Sequence, residues 1–156
     1  SQEITSLKHA LIYIGDIELK KFIALLALTD LSQGKPAEVM RLSLIRAKFC
    51  EQISQLNKDQ ENPPKAFLTG ILSLIDGILD HSIVAILDML PIHQDIKHAL
   101  LSNDNHLADY LSLAKCIELG NWEMNDTLIK QLSLTQDDCV KAHEVAIVWA
   151  DEMLNI

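Results

Sequence analysis

The sequence predicts an all-α fold, a compact bundle of about nine helices with no sheet. Hydrophobic residues make up 49% of the chain but Phe, Trp and Tyr only 4%, so the interior must consist of Leu, Ile, Ala and Val. That composition favours helices. Five Gly and four Pro are too few turn residues for a sandwich or barrel of many strands. At 156 residues the chain has the size of a single domain, 1–156, whose core needs no metal or disulfide.

The first two helices are predicted before a break around Gly34. The first starts at about residue 5 and ends near Ile14, where Gly15 provides a left-handed stop. The second opens at Asp16 and runs to about Leu31.

The third helix is the longest clear amphipathic segment, and Pro36 suits its first position. Its apolar residues recur at steps of three or four: Leu42, Ile45, Phe49, Ile53 and Leu56. The other face carries Arg41, Arg46, Lys48 and Glu51. We interpret that face as solvated; recognition of a phosphate or carboxylate is the alternative.

A polar loop, Asn57 to Pro64, precedes a fourth helix that we predict to run from Pro63 to Asp80 with Asn62 as its cap. Two adjacent apolar stripes place this helix in the middle of the domain. They consist of Phe67, Ile71, Leu74 and Ile78, and of Leu68, Leu72, Ile75 and Leu79. Gly70 lets a neighbouring helix approach closely, at a cost of about 1 kcal/mol relative to Ala.

Five shorter segments complete the prediction. They are Ser82 to Leu90, Pro91 to Leu101, His106 to Leu119 with Gly120 as its stop, Asn121 to Leu132, and a last helix opened by a capping box of Thr135 and Asp138. The last helix is predicted to bury Val140, Ile147, Ala150 and Leu154. We find no repeat of about 34 residues, so a helical solenoid is a minor alternative.

Charge and cysteine content exclude several classes of function. The net charge is −9, and residues 66–156 carry four basic against fourteen acidic residues, which disfavours nucleic acid. We interpret this half as an ordinary acidic surface; a contact surface for a basic partner is the alternative. The sequence contains no run of 18 apolar residues, so it does not predict insertion into a membrane. Three well-separated cysteines indicate neither a disulfide framework nor a thiolate zinc site, and a reducing cytoplasm is the simplest setting.

No catalytic or cofactor-binding motif stands out. None of the six histidines is followed by Asp, and there is no GxSxG turn and no Gly-rich phosphate loop. A helical His143-Glu144 pair and the Asp137-Asp138 pair are candidate metal ligands, but a position between helices and a helix start explain them better. Trp122 and Trp149 are interpreted as core anchors, with an interface role as the alternative. We therefore expect no catalytic residue, no metal and no cofactor.

Five segments in order resemble the HDOD family, the output domains related to the HD metal phosphohydrolases. They are SLKHALIYIGDIELKKFIALLAL, KPAEVMRLSLIRAKFCEQIS, AFLTGILSLIDGILD, LPIHQDIKHALL and ELGNW. The resemblance is to the HDOD domain that follows an EAL-type cyclic di-GMP phosphodiesterase domain in bacterial proteins. It implies an HD-like helical bundle in this chain, without the first helices of the HDOD domain and the upstream EAL domain.

In the HD superfamily the central helix carries a His-Asp pair, and Ser73 and Leu74 stand there in this chain. Serine is a poor metal ligand at neutral pH and leucine is none. We expect the position to be filled with hydrocarbon, with Leu74 packed beside Phe67 and Ile71.

The predicted function is therefore a non-catalytic regulatory domain in bacterial signalling, whose partner is another protein or its own upstream EAL domain. If the missing helices cover apolar surface, the chain is expected to form a homodimer. Two alternatives stay open: a divergent metal phosphohydrolase using His81, His143 or scattered aspartates, and a plain helical adaptor.

Overall fold

The computed structural model describes residues 4, 5, 8, 9, 37–59 and 62–154, with the side chains of Trp122 and Met124 left out. These residues contain no strand and eight helices: α1 (Ala37–Leu56), α2 (Pro63–Leu72), α3 (Ile75–Leu79), α4 (Ile83–Met89), α5 (Gln94–Leu101), α6 (His106–Leu119), α7 (Trp122–Gln131) and α8 (Gln136–Leu154). The all-α prediction is confirmed for this part of the chain. The two predicted helices before Gly34 and the predicted start at Pro36 lie almost wholly outside the described residues.

Helix α1 lies at the centre and packs against α2, α6 and α8. Its predicted apolar stripe is buried at Ile45, Phe49 and Ile53, although Leu56 is exposed. The opposite face is not solvated as predicted, because Arg46 and Glu51 are also buried. A helix contacted from three sides has little circumference left for solvent.

The predicted fourth helix is two helices. α2 ends at Leu72 and α3 begins at Ile75, with Ser73 and Leu74 in the turn between them. The Leu74 backbone (φ −121°, ψ 16°) is not helical, and its side chain is half-buried. Leu74 therefore leaves the stripe that Phe67, Ile71 and Ile78 form in the core. The chain therefore turns at Ser73 and Leu74, the two residues that the family resemblance placed at the His-Asp position.

The α1 and α2 backbones approach each other closely at Gly70. A Cβ atom at this position would lie 2.5 Å from the Arg46 carbonyl oxygen and 2.6 Å from the Ala47 Cα. Both are backbone atoms of a rigid helix, so the space needed for a side chain is absent. The predicted close approach is confirmed, and its partner is α1.

Helix ends follow the expected capping chemistry at most sites. The Thr135 N–H donates to Asp138 Oδ2 (2.9 Å) and the Asp138 N–H donates to Thr135 Oγ1 (3.1 Å), so the predicted capping box is confirmed. Hydrogen bonding of the Asp138 carboxyl to the Thr135 backbone N–H, and secondarily to the Thr135 side chain, lowers the pKa of Asp138. Gly120 ends α6 in the left-handed region, at φ 66°.

One predicted cap and one predicted helix start are wrong, whereas the predicted start of α2 at Pro63 is confirmed. Asn62 precedes α2 but makes no capping bond with its side chain, which donates to Asp59 Oδ1 instead (2.7 Å). The helix predicted from Pro91 begins at Gln94, because His93 Nδ1 accepts the Asp95 N–H (3.1 Å) and makes His93 the N-cap.

Tyr110 of α6 fixes the described start of the loop after α1. The Tyr110 hydroxyl donates to Asp59 Oδ2 (2.9 Å) and accepts from Asn57 Nδ2 (3.2 Å). Burial raises the pKa of Tyr110 to about 12, so the phenol stays protonated and keeps donating. This anchor explains how a polar segment is held against the bundle.

The prediction for the buried face of α8 is partly confirmed, because Ala150 is buried and Ile147 packs partly buried against the core. The buried residues of this helix are Cys139, Ala142, Ala146 and Ala150. Val140 and Leu154, which were predicted to be buried, are 45% and 40% exposed. Small side chains face α1 because they let the two helices lie close together. Among the described residues, no helix is long and apolar enough to cross a membrane.

The Gly70 contact predicts that Gly70→Ala destabilises the fold. Alanine favours a helix by about 1 kcal/mol over glycine, but its Cβ would overlap α1 backbone, and overpacking costs typically 1–3 kcal/mol or more. We expect a net loss of about 2 kcal/mol in the free energy of unfolding, measured by urea denaturation.

Gly77→Ala is the matched control, since a Cβ at this exposed helical glycine meets nothing within 4 Å. It should leave stability unchanged or raise it by up to about 1 kcal/mol. Equal stability of the Gly70→Ala variant and the natural chain would contradict the close-contact interpretation.

Candidate functional site

The turn between α2 and α3 holds a buried charged cluster. Arg46 of α1 makes two parallel bonds to Glu118 of α6, Nε to Oε1 and Nη2 to Oε2, both 2.8 Å long. Its third nitrogen, Nη1, donates to Ser73 Oγ (3.2 Å), and Ser73 Oγ donates to the Gly70 carbonyl oxygen (2.7 Å). One guanidinium group therefore joins α1, the end of α2 and the end of α6.

Ser73 thus hydrogen-bonds a guanidinium group and a backbone carbonyl, and the prediction of a hydrocarbon-filled position is wrong. The side chains of Arg46 and Glu118 are only 10% and 17% exposed, so both charges are largely removed from water. Their two-bond geometry compensates part of that desolvation cost. The sequence pattern missed this because Leu74 was placed on a continuous helix that the structure breaks.

The cluster is poorly suited to bind a metal ion. Its groups next to Ser73 are a guanidinium, which carries no lone pair for a metal, and a carboxylate already engaged by it. Across the described ranges, no three His, Cys, Asp or Glu side chains lie close enough together to hold a metal ion. The arrangement can fix helices and present a hydroxyl group.

The histidines with described side chains serve different local roles. His81 is exposed after α3, beside Asp80, which is left-handed (φ 56°) as expected for a turn. His93 caps α5, while His98 and His106 are exposed. At these positions the imidazole groups do not come together as ligands, as the metal phosphohydrolase alternative would require.

His143 lies between helices, as predicted. Its ring meets Phe49 of α1 edge-on, with the ring centroids 6.1 Å apart. Burial lowers the pKa of His143, because the charged imidazolium is disfavoured beside the core. The neighbouring Glu144 is exposed on α8.

The other α1 cations also have partners on or near α8. Arg41 Nε donates to Asp151 Oδ1 (2.8 Å), and Lys48 Nζ lies 5.5 Å from the Trp149 ring centroid and 2.9 Å from Glu51 Oε1. Trp149 in turn packs edge-on against Phe67 (5.8 Å), which confirms its role as a core anchor. The side chain of Trp122 lies outside the described residues.

The three cysteines are free and buried. Burial raises the pKa of Cys50 to about 12 and that of Cys139 to about 11, so neither is a reactive thiolate at neutral pH. All three are core residues that form no disulfide with one another.

Sequence reasoning missed Arg46 and Glu118 as a pair. A usable signal was present for Arg46, since the residues one helical turn away, Leu42 and Cys50, are apolar. A cation flanked in this way on a helix either extends its charged end to water or has a buried partner. Nothing in the sequence identified Glu118, 72 residues away, as that partner.

Two curated proteins are similar to nearly the full length of this chain. It is 31% identical over 153 residues to the cyclic di-GMP phosphodiesterase CdgJ of Vibrio cholerae serotype O1, which covers 98% of this chain and 35% of that protein. It is 32% identical over 158 residues to the uncharacterized protein YuxH of Bacillus subtilis, covering 99% of this chain and 38% of that protein.

The chain therefore spans little more than a third of each of these relatives. It is a relative of one part of a cyclic di-GMP phosphodiesterase. No known family profile matches the chain, and no solved structure matches it.

The buried pair predicts that Glu118→Gln is strongly destabilising. The substitution keeps the side-chain shape but leaves the Arg46 charge unpaired, which should lower the free energy of unfolding by about 3 kcal/mol. The double variant Arg46→Met/Glu118→Leu removes both charges and should recover much of that loss, as measured by urea denaturation.

Asp151→Asn supplies the control, because the Arg41–Asp151 pair has similar geometry but side chains 35% and 47% exposed. Its loss should stay below about 1 kcal/mol. Equal losses from Glu118→Gln and Asp151→Asn would show that burial adds nothing to the Arg46 pair.

The lowered pKa of His143 predicts a pH dependence of stability. The unfolded chain binds this proton more tightly than the folded chain, so stability is fully present above the unfolded pKa of about 6.5. It should decline as pH falls from there through the lowered folded pKa. His143→Gln should reduce the slope of unfolding free energy between pH 7 and 5, whereas His81→Gln, at an exposed site, should retain it. An unchanged slope in His143→Gln would refute the assignment.

Proposed function

We propose that this chain is a non-catalytic regulatory domain of a bacterial cyclic di-GMP signalling protein. The observation that carries the proposal is the extent of the similarity: 98% of this chain aligns with 35% of a cyclic di-GMP phosphodiesterase. The other two thirds of that protein have ample length for a separate catalytic domain. Phosphodiesterase activity is therefore assigned to the rest of the parent protein, and this chain has no catalytic residue of its own.

The geometry around Ser73 supports the non-catalytic assignment. We assign the helices to an HDOD-like bundle of about nine helices, 1–156, in which Ser73 and Leu74 occupy the degenerate His-Asp position. A guanidinium nitrogen 3.2 Å from Ser73 Oγ places positive charge where a divalent cation would have to sit. Like charges repel at this distance in a water-poor site.

The proposed partner is the chain's own upstream EAL domain in the cytoplasm, with a second protein or a homodimer as the other modes of contact. Nothing in this assignment requires a cofactor, nucleic acid or membrane insertion. The strong acidic charge of residues 66–156 supports a basic contact surface on the partner, because charge complementarity favours association.

The test compares the chain alone with its full-length parent protein. With Mg²⁺ or Mn²⁺ present, the purified chain should hydrolyse neither cyclic di-GMP nor bis(p-nitrophenyl) phosphate above the buffer rate. Deleting the domain from the parent should change the rate of cyclic di-GMP turnover by about fivefold or more, the lower end of common coupling strengths.

Two results would contradict the proposal. Stoichiometric transition metal together with phosphoester hydrolysis by the chain alone would favour the phosphohydrolase alternative. An unchanged turnover rate after deletion would remove the regulatory role and leave a plain helical adaptor.

A further inference from the structure

A partly enclosed pocket lies beside the charged cluster, and Ser73 is one of its lining residues. It has a volume of about 340 Å³ and is bounded by α4, α5, α6 and the end of α2. Ile83, Leu100 and Leu111 supply apolar wall. A volume of this size is at the lower end of small-molecule binding sites.

The charge lining this pocket is opposite to that of the domain around it. Lys115 is the charged residue in its lining, and no carboxylate lines it. Residues 66–156 carry fourteen acidic side chains against four basic ones, so a lysine-lined pocket without a carboxylate is unusual here. Within the described part of the chain, Lys115 has no ion-pair partner.

Neighbouring pockets show the contrast. The pocket along α8 is lined by Lys48 together with Glu144 and Glu152, and the pocket at the start of α6 is lined by Asp104, Asp109 and His106. Two carboxylates line each of these pockets, which makes both less favourable for an anion. The pocket beside Ser73 is the more favourable of the three for negative charge.

Two further polar side chains, those of Ser112 and Asn103, line the same pocket and are only weakly hydrogen-bonded within the protein. Ser112 Oγ lies 3.5 Å from Asn103 Oδ1, at the outer limit of a hydrogen bond. The Asn103 N–H donates to the His98 carbonyl oxygen (3.0 Å), which holds this left-handed residue (φ 58°) at the rim. The Ser112 hydroxyl and the side-chain amide of Asn103 are therefore available to donate to a ligand.

Ser73 lines the pocket but does not supply its positive charge. Its hydroxyl already donates to Gly70 and accepts from Arg46, whose own charge is balanced by Glu118. Recognition of an anion thus depends on Lys115, with Ser112 and Asn103 adding hydrogen bonds.

We propose that this pocket binds a small organic anion, with the anionic group on Lys115 Nζ and an apolar portion against Ile83 and Leu111. This inference goes beyond the regulatory role and stands without it, because it requires neither hydrolysis nor a parent protein. A carboxylate and a phosphate monoester share the required chemistry.

The test is an NMR titration of the ¹⁵N-labelled chain with benzoate, with phenyl phosphate and with neutral phenol. At least one of the two anions should give saturable shifts confined to residues around Ser73, Ile83, Asn103 and 111–115, and the larger affinity identifies the preferred anionic group. Phenol has the same ring without the charge and should bind at least about tenfold more weakly.

Lys115→Gln should lower the affinity for the tighter-binding anion by about tenfold, because it removes a charged contact. The position is exposed, so the fold does not need this side chain. Lys130→Gln, an exposed lysine of α7 outside the pocket, should leave the affinity unchanged. The proposal is overturned if neither anion saturates, if phenol binds equally well, or if the two lysine variants behave alike.

Discussion

The close approach of α1 and α2 at Gly70 is the contact on which the rest of the described structure depends. With no side chain between them, the Arg46 carbonyl and the Ala47 backbone lie directly against Gly70. Ser73 follows one helical turn later and is thereby brought to the Arg46 guanidinium. Arg46 then contacts α2 through its backbone and α6 through its side chain, so one residue of the central helix fixes two neighbours.

The Arg46–Glu118 pair gives this arrangement its specificity. The attraction between the charges is largely offset by their desolvation, so the pair adds little net stability over a hydrocarbon filling. Separating the two partners is costly, however, because each would leave a charge unpaired in a water-poor site. Any arrangement that separates Arg46 from Glu118 is therefore unfavourable, and this free-energy cost fixes the relative position of α1 and α6. The guanidinium beside Ser73 also gives this position a structural role, because it links the end of α2 to α1.

Local sequence rules predicted much of this bundle, and contacts between distant residues account for what they missed. The capping box at Thr135, the stop at Gly120 and the small residue at Gly70 each have a signal within one or two helical turns. The wrong assignments have a different origin. Arg46 is buried because Glu118 faces it from 72 residues away, and α8 buries alanines because α1 lies so near. The break at Leu74 likewise carries no Gly or Pro signal.

The central claim is that the helix contact at Gly70 positions the Arg46 guanidinium, and solvent exchange of the Arg46 Nε–H proton measures it directly. NMR should show slow exchange of this proton in the natural chain and in Gly77→Ala, because Nε donates to Glu118 inside the bundle. In folded Gly70→Ala the exchange should be faster, since the added methyl group displaces α2 from α1. The same exchange rate in all three proteins would contradict the account.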